Sequence, residues 1–210
     1  MTRSLLAAVL ATSLLAACSS DDTTTPPPAA LTCADLCTAV TAACTVTGTG
    51  GTIQFTDAAQ CNAWCGTAYG WTAGTAGATS GNTIACRVTH AGLAVTPGPA
   101  TTHCPHAGPT GGGNCGTLCE NYCDAAVRNC TGANTTFADR ATCITACTTA
   151  TTGATPAVPT NGAVNAPGGN SIQCRIWHLA QAQGNPGLHC PHTQIVSSST
   201  IGGTANGPCN

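Results

Sequence analysis

The sequence predicts a small, mainly α-helical, disulfide-rich protein, built as a tandem duplication of a loop-rich three-helix module. An internal repeat is the first observation behind this prediction. The segment CRVTH at 86–90 returns as CRIWH at 174–178, and HCPH at 103–106 returns unchanged at 189–192. These four segments hold all 6 histidines of the chain. Residues retained in both copies of a duplication are the first place to look for a function.

The second observation is the cysteine content. The chain has 17 cysteines; Cys18 stands apart near the N-terminus, and the others fall into two equal sets with partly shared spacing. An even number at this density in an exported chain is typical of a disulfide scaffold. We therefore predict structural disulfides at Cys33, Cys37, Cys44, Cys61, Cys65, Cys86, Cys104 and Cys115 in the first set, and at Cys119, Cys123, Cys130, Cys143, Cys147, Cys174, Cys190 and Cys209 in the second.

The third observation is the shortage of ordinary core residues. Aromatic residues make up 3% of the chain, and Leu, Ile, Val and Phe together fall below the roughly 20% expected of a globular protein. A disulfide contributes ~3 kcal/mol in the chain-entropy model, so four in each module would offset the thin core.

Shared cysteine spacings predict the helices. Positions i, i+4 and i+11 lie within ~40° of one another on a helix, so Cys33, Cys37 and Cys44 share a face, and the second copy repeats the pattern. A second helix is predicted to begin near Asp57 and its counterpart Asp139, because an aspartate at a helix start accepts free backbone N–H groups. A third begins near residues 82–84 and 170–172 and runs to the first histidine of each module.

The N-terminus predicts export and a membrane anchor. Residues 1–17 carry one arginine and then an apolar run too short to span a bilayer, which is typical of a signal peptide. The segment Leu15-Ala16-Ala17-Cys18 resembles the lipobox of bacterial lipoproteins. The resemblance implies that Cys18 is lipidated and anchors the chain to a membrane. The residue after that cysteine is Ser19, whereas an aspartate there would resemble an inner-membrane retention signal. The sequence therefore favours the outer membrane.

The domain organisation follows from these features. Residues 18–32 form a proline- and threonine-rich flexible tether, followed by module 1 at 33–115 and module 2 at 116–210. The paired cysteines of the first two helices resemble the twin Cys-x3-Cys α-hairpins of small exported proteins. That resemblance implies the pairs Cys33–Cys65, Cys37–Cys61, Cys119–Cys147 and Cys123–Cys143. The remaining cysteines could then join as Cys44–Cys86, Cys104–Cys115, Cys130–Cys174 and Cys190–Cys209.

The six histidines have two interpretations. If the segment after the third helix folds back onto it, the side chains converge in two triplets that suit zinc or copper, since imidazole is a common ligand of both. Alternatively, they cap helices or bind backbone carbonyls in modules with few other side chains to do so. The candidate metal ligands are His90, His103 and His106 in module 1, and His178, His189 and His192 in module 2.

Two further retained pairs also have alternative roles. Asp57 with Arg87, and Asp139 with Arg175, could form ion pairs between the second and third helices. The arginines could instead bind an anion or a partner's carboxylate through their planar guanidinium groups.

Composition excludes several functions. The chain has no lysine and only 5 arginines, so it lacks a basic surface for nucleic acid. It has no Cys-x2-Cys-His segment for haem and no phosphate-binding loop. No retained nucleophile accompanies a general base, so we expect no enzyme activity. The expected role is that of a lipid-anchored structural or interaction protein of the bacterial envelope, with an unknown envelope or surface partner; the alternative is metal binding at one tri-histidine site per module.

Overall fold

In this computed structural model of the protein, the described residues are 29–46, 52–95, 99–152, 158–160, 162–195 and 207–209. The predicted signal peptide, Cys18 and most of the tether lie outside these residues. None of the helices formed by the described part of the chain is long and apolar enough to cross a membrane.

Both modules consist of helices in the same order. Module 1 contains α1 (Cys33–Ala43), α2 (Ala58–Ala63), α3 (Ile84–Val95) and α4 (Ala100–Ala107), with a π-helical turn at Trp64–Tyr69 that continues α2. Module 2 contains α5 (Leu118–Asn129), α6 (Arg140–Thr152), α7 (Ile172–Gln181) and α8 (Pro186–His189). Short 3-10 turns lie at Gly111–Gly113, Gly132–Asn134 and Cys190–Thr193. The predicted helical, disulfide-rich, duplicated fold is therefore confirmed.

Side-chain caps explain where several of the helices begin. Thr32 and Asp35 form a capping box at α1, and Thr117 forms one with Glu120 at α5. At the start of α2, the Asp57 carboxylate accepts a hydrogen bond from the Gln60 amide at 2.7 Å. Such caps satisfy backbone N–H groups that the first turn of a helix leaves free. The predicted start of the second helix is thus confirmed.

A fourth helical segment in each module differs from the prediction of a loop. The segment HCPH at 103–106 lies inside α4, with Pro105 in the helix interior. Proline removes a backbone donor and disfavours helix in the preceding residue, so Cys-Pro indicated a loop. In module 2 the same segment spans the end of α8 and the following 3-10 turn. Pro186 occupies the start of α8, where a missing N–H costs nothing.

All sixteen cysteines after Cys18 form disulfides. The first two helices of each module are joined as the twin Cys-x3-Cys resemblance implied, through Cys33–Cys65 and Cys37–Cys61, and through Cys119–Cys147 and Cys123–Cys143.

The other four pairings differ from those proposed from the sequence. The structure joins Cys44 to Cys104 and Cys86 to Cys115, not Cys44 to Cys86 and Cys104 to Cys115. The reason is that α4 folds back to contact both α1 and α3, which brings Cys104 to the end of α1. Module 2 repeats this arrangement, and its bonds are Cys130–Cys190 and Cys174–Cys209.

Contacts between α5 and the π-helical turn connect the two modules. The Arg128 side chain donates to the Thr67 carbonyl at 2.7 Å, and the Asn129 amide donates to the Ala68 carbonyl at 2.8 Å. The apolar core beside these contacts is small and includes Leu36 and Trp64 in module 1. Most of the half-cystines are buried together with it.

The corrected connectivity can be tested by peptide mapping. Pepsin digestion of the non-reduced protein, at an acid pH that suppresses thiol exchange, should release disulfide-linked peptides that mass spectrometry can identify. We expect Cys44 linked to Cys104 and Cys86 linked to Cys115. A peptide joining Cys44 to Cys86 would contradict the structure.

Candidate metal centres

Two helices of module 1 position its three histidines. His90 lies on α3, one turn after Cys86, whose disulfide to Cys115 fixes that part of the helix. His103 and His106 lie three residues apart on α4, so their side chains extend from one face. The contact between α3 and α4 then brings the three rings together. His90 is buried, whereas His103 and His106 are only partly buried.

The three imidazoles face one another through the same ring atom. The Nδ1 atom of His90 lies 3.1 Å from Nδ1 of His103 and 3.2 Å from Nδ1 of His106. On the opposite side of the His90 ring, Nε2 lies 3.1 Å from the Thr79 carbonyl oxygen. A carbonyl only accepts, so Nε2 of His90 carries the ring hydrogen, and Nδ1 has its lone pair free for a ligand.

Module 2 reproduces this arrangement. Nδ1 of His178, on α7, lies 2.9 Å from Nδ1 of His189 and 3.4 Å from Nδ1 of His192. Its Nε2 lies 3.0 Å from the Pro167 carbonyl oxygen. The carbonyl precedes the buried histidine by 11 residues in both modules. The loops differ in sequence, but their backbones orient the imidazole in the same way.

Hydrogen bonding alone cannot satisfy this geometry. The Nδ1 atom of His90 has one lone pair in the ring plane and therefore one good acceptor site. Two other Nδ1 atoms approach it within hydrogen-bonding distance, so at most one contact can be a well-formed bond in any tautomer. A cation bound between the three ligand nitrogens, which lie within 4.8 Å of one another, would interact with all three rings at once.

The spacing of the nitrogens fits a metal ion. Zinc–imidazole bonds of ~2.0–2.1 Å at tetrahedral angles place the ligand nitrogens about 3.3 Å apart. The two Nδ1 separations from the buried histidine are 3.1 and 3.2 Å in module 1 and 2.9 and 3.4 Å in module 2, and all three ligand nitrogens of each triad lie within 4.8 Å of one another. Metal-bound histidines usually donate their other ring N–H to a carbonyl or carboxylate. The bonds to Thr79 and Pro167 are of this kind, so each triad could hold a metal ion.

In four of the six rings, burial favours the neutral form that metals require. Burial is the main cause of the fall in the pKa of His178 to about 4, and repulsion from His192 and His189 acts in the same direction. Burial likewise lowers the pKa of His189 and that of His192. In module 1, burial and the neighbouring imidazoles lower the pKa of His106. Neutral imidazole has the free lone pair that coordination needs.

The cysteines beside the buried histidines are not available as ligands. The sulfurs of Cys86 and Cys115 lie within 4.8 Å of a ring nitrogen of His90 and of each other. They form a disulfide, which leaves no thiolate to coordinate a cation. Cys174 and Cys209 are bonded in the same way beside His178. Each candidate site therefore consists of histidines alone.

The retained arginines hold the histidine segments to the third helix of each module. In module 1, Nε of Arg87 donates to the Gly108 carbonyl, two residues after the last histidine, at 3.4 Å. The other guanidinium nitrogens donate to the Thr83 carbonyl at 3.2 Å and to Asn82 and Asn121 at 2.8 and 2.7 Å. Burial lowers the pKa of Arg87 to about 9, which still leaves it charged at neutral pH.

Arg175 makes three corresponding bonds in module 2. Its Nε donates to the Gln194 carbonyl at 2.9 Å, again two residues after the last histidine. Its NH1 group donates to the Ser171 carbonyl at 3.0 Å and to Asn170 at 3.1 Å. We refer to the Arg87 and Arg175 contacts as the arginine clamps. The role of Asn82 and Asn170 in these clamps was not predicted from the sequence.

The predicted Asp–Arg ion pairs are replaced by other contacts. Asp57 and Asp139 cap the second helices, where their carboxylates accept amide hydrogens of Gln60 and Thr142. Among the described residues, the ion pair is instead Arg140 with Asp124. Arg87 and Arg175 are almost fully buried and bond to carbonyl and amide oxygens of the chain. Their donors therefore face acceptors within the protein.

One glycine has a clear role beside the module 1 triad. Gly112 has φ of +54°, a conformation that favours glycine, and lies against the ring of His106. A Cβ at position 112 would overlap the imidazole Cδ2 atom. A side chain at position 112 would therefore displace His106. The glycine-rich sequence around Gly112 did not indicate this role.

The arginine clamp predicts a large effect on stability. Arg175→Leu would leave the part-buried carbonyl of Gln194 without its donor and would remove the side-chain bond to the Ser171 carbonyl, which keeps only the backbone N–H of residue 175. A buried polar group left unsatisfied costs ~1–3 kcal/mol. We expect the free energy of unfolding to fall by about 3 kcal/mol in urea titrations. Arg140→Leu is the matched control, because a largely exposed ion pair contributes less than about 1 kcal/mol. Equal effects of the two substitutions would contradict the clamp.

The fold and site together define a class of protein: a small helical chain of two disulfide-bonded modules, each with a histidine triad that could hold a metal ion. The chain belongs to the BfoA family. A model of the BfoA family C-terminal domain matches residues 2–117 and again residues 116–205, which is compatible with the duplication. Neither the curated proteins nor the solved structures include a match.

Proposed function

We propose that this protein binds metal ions, one zinc or copper ion in each module. The observation that carries the proposal is the convergence of three Nδ1 atoms, seen independently in both copies. Neutral imidazoles are good ligands for both metals. A given set of nitrogen ligands binds copper(II) more tightly than zinc. Zinc, in contrast, accepts a tetrahedral arrangement without electronic cost.

The alternative role of the histidines as structural groups explains less of the geometry. Eight disulfides and two arginine clamps already close the modules without them. A structural imidazole would be expected to pair each ring nitrogen with a separate partner. His90 does so at Nε2 alone, since its Nδ1 faces two further imidazole nitrogens. This arrangement favours coordination over capping.

We further propose that the protein lies in the bacterial cell envelope. The lipobox-like segment ending at Cys18 and the tether of 18–32 support a lipid-anchored protein, and Ser19 supports the outer membrane. The disulfides agree with an oxidising compartment. In this role the protein is a metal-binding or interaction module rather than an enzyme, and it has an envelope or surface partner but no nucleic-acid partner.

The metal proposal predicts two ions per chain. The oxidised chain from residue 19, loaded with zinc or copper and desalted, should retain two equivalents by elemental analysis. His103→Ala combined with His106→Ala should reduce this to one, because a lone buried imidazole does not hold the ion. His189→Ala with His192→Ala should also leave one.

Matched controls separate the site from the fold. Thr101 lies on the exposed side of α4, and Leu188 lies next to His189. The variants Thr101→Ala and Leu188→Ala should therefore both retain two equivalents of metal. Circular dichroism and disulfide mapping should show that every variant keeps its helices and its cystines. A wild-type protein that retains no metal after loading would refute the proposal.

The anchor proposal predicts that membrane association depends on Cys18. In a bacterial host with lipoprotein processing, the wild-type chain should partition into the detergent phase of a Triton X-114 separation and take up labelled palmitate. Cys18→Ser should abolish both, since the acyl chains attach to that sulfur. Cys209→Ser is the matched control, because it also removes one cysteine. Detergent partitioning that survives Cys18→Ser would rule out this anchor.

A further inference from the structure

The chain has few groups that could complete the coordination of a metal ion in either triad. Its 6 histidines are all used in the two triads. Its cysteines after Cys18 are all oxidised to disulfides. Of the strong protein ligands for zinc or copper, carboxylates alone remain to be considered.

The carboxylates of the described residues have other partners. Asp35, Asp57, Glu120 and Asp139 each cap the start of a helix. Asp124 pairs with Arg140 and accepts a hydrogen bond from Asn82 at 2.8 Å. No described carboxylate belongs to a potential metal-binding group with the histidines.

The sequence limits which undescribed residues could supply a further metal ligand. After the tether, the undescribed residues 47–51, 96–98, 153–157, 161, 196–206 and 210 contain no histidine, cysteine, aspartate or glutamate. The two acids not yet accounted for, Asp21 and Asp22, belong to the tether that precedes the modules. A single tether cannot complete two sites with the same geometry, so the likeness of the two triads argues against it.

The exposure of the triads supplies an independent observation. The first histidine of each is buried, at 3% exposure for His90 and 4% for His178, and its Nε2 faces a carbonyl inside the module. The other two histidines of each triad are partly exposed. Each triad therefore has a closed side formed by the third helix and a side that solvent can reach.

We propose that the metal ion in each triad has one coordination position open to an external ligand. This inference rests on the proposed metal binding. Three histidines plus an exchangeable position is the pattern of reactive zinc sites, in contrast to structural sites closed by four protein ligands. The external ligand is a small monodentate Lewis base: an inorganic anion or the imidazole of another molecule. Coordination balances without a redox step, because the base displaces a bound water.

The consequence is a labile metal. A ligand that enters the open position can pull the ion out through a mixed complex, so a chelator should remove it by direct attack. A closed four-ligand site would have to release the ion first. The site is then suited to accepting and passing on metal ions rather than to holding the fold together, for which the disulfides suffice.

The test uses the oxidised full chain, exported and purified, with one triad intact. The variant His189→Ala/His192→Ala isolates module 1, and His103→Ala/His106→Ala isolates module 2. Each is loaded with cobalt(II), whose visible absorption reports the coordination of a zinc-type site. Azide and N-acetylhistidine are titrated separately. We expect the cobalt band to shift along a binding curve for one ligand per metal ion in both modules.

The results distinguish the source of the ligand. A response to azide but not to N-acetylhistidine assigns the position to a small anion, and the reverse assigns it to a partner's imidazole. A spectrum that neither ligand changes overturns the open position while leaving metal binding intact. If the wild-type chain takes up no cobalt, zinc or copper at all, the proposed function itself fails.

Kinetics provide a second arm. The rate of zinc transfer from each isolated module to a chromophoric chelator should rise in proportion to chelator concentration. A rate independent of chelator concentration would show that the ion leaves before the chelator binds, and would also overturn the inference. Thr101→Ala and Leu188→Ala should leave the rates unchanged.

Discussion

Each histidine-bearing segment depends on one disulfide to the end of the first helix of its module. Cys104 on α4 bonds to Cys44, and Cys190 bonds to Cys130, in both cases across 60 residues of sequence. A helix of eight residues such as α4 is marginal in water, and one containing proline is weaker still. The apolar core is too small to fix such a segment alone. The cross-link therefore determines where His103 and His106 can lie.

The arginine clamp acts on the same segment from its other side. In module 1 the disulfide holds Cys104, and Arg87 holds the carbonyl of Gly108, so the two restraints lie on either side of His106. Arg87 is a residue of α3, three positions before His90. The clamp thus couples the helix that carries the buried histidine to the segment that carries the other two. This coupling explains why a buried arginine is retained at the same place in both modules, although no carboxylate pairs with it.

Local spacing determined what could be predicted from the sequence. The starts of α2 and α6 follow from a single aspartate each, and the resemblance to twin Cys-x3-Cys α-hairpins implied the pairing of the first two helices. Both predictions are confirmed. The long-range pairing of Cys44 could not be read in this way, because eight cysteines admit 105 connectivities. It also depended on α4 being a helix, which Pro105 argued against. A wrong local assignment therefore became a wrong long-range one.

The histidine triads could be located, but not their geometry. Duplication identified all six rings, because they are retained while the loops around them have changed. The carbonyls of Thr79 and Pro167 leave no such signature, since any residue supplies a backbone oxygen. The same holds for Gly108 and Gln194, the acceptors of the arginine clamps. Contacts made by the backbone survive changes of side chain, provided that the length and path of the loop are kept.

This division explains the pattern of change between the copies. Most side chains whose own atoms form the cross-links, clamps and ring contacts keep their identity in both copies, as cysteine, arginine, asparagine or histidine. Their partners in the loops are backbone atoms, so the identity of the loop residues is free to vary. A duplicated chain can then diverge over most of its surface while both triads keep the same nitrogen spacing. Two similar sites in otherwise diverged modules are what selection on the sites themselves, rather than on the loops, would leave.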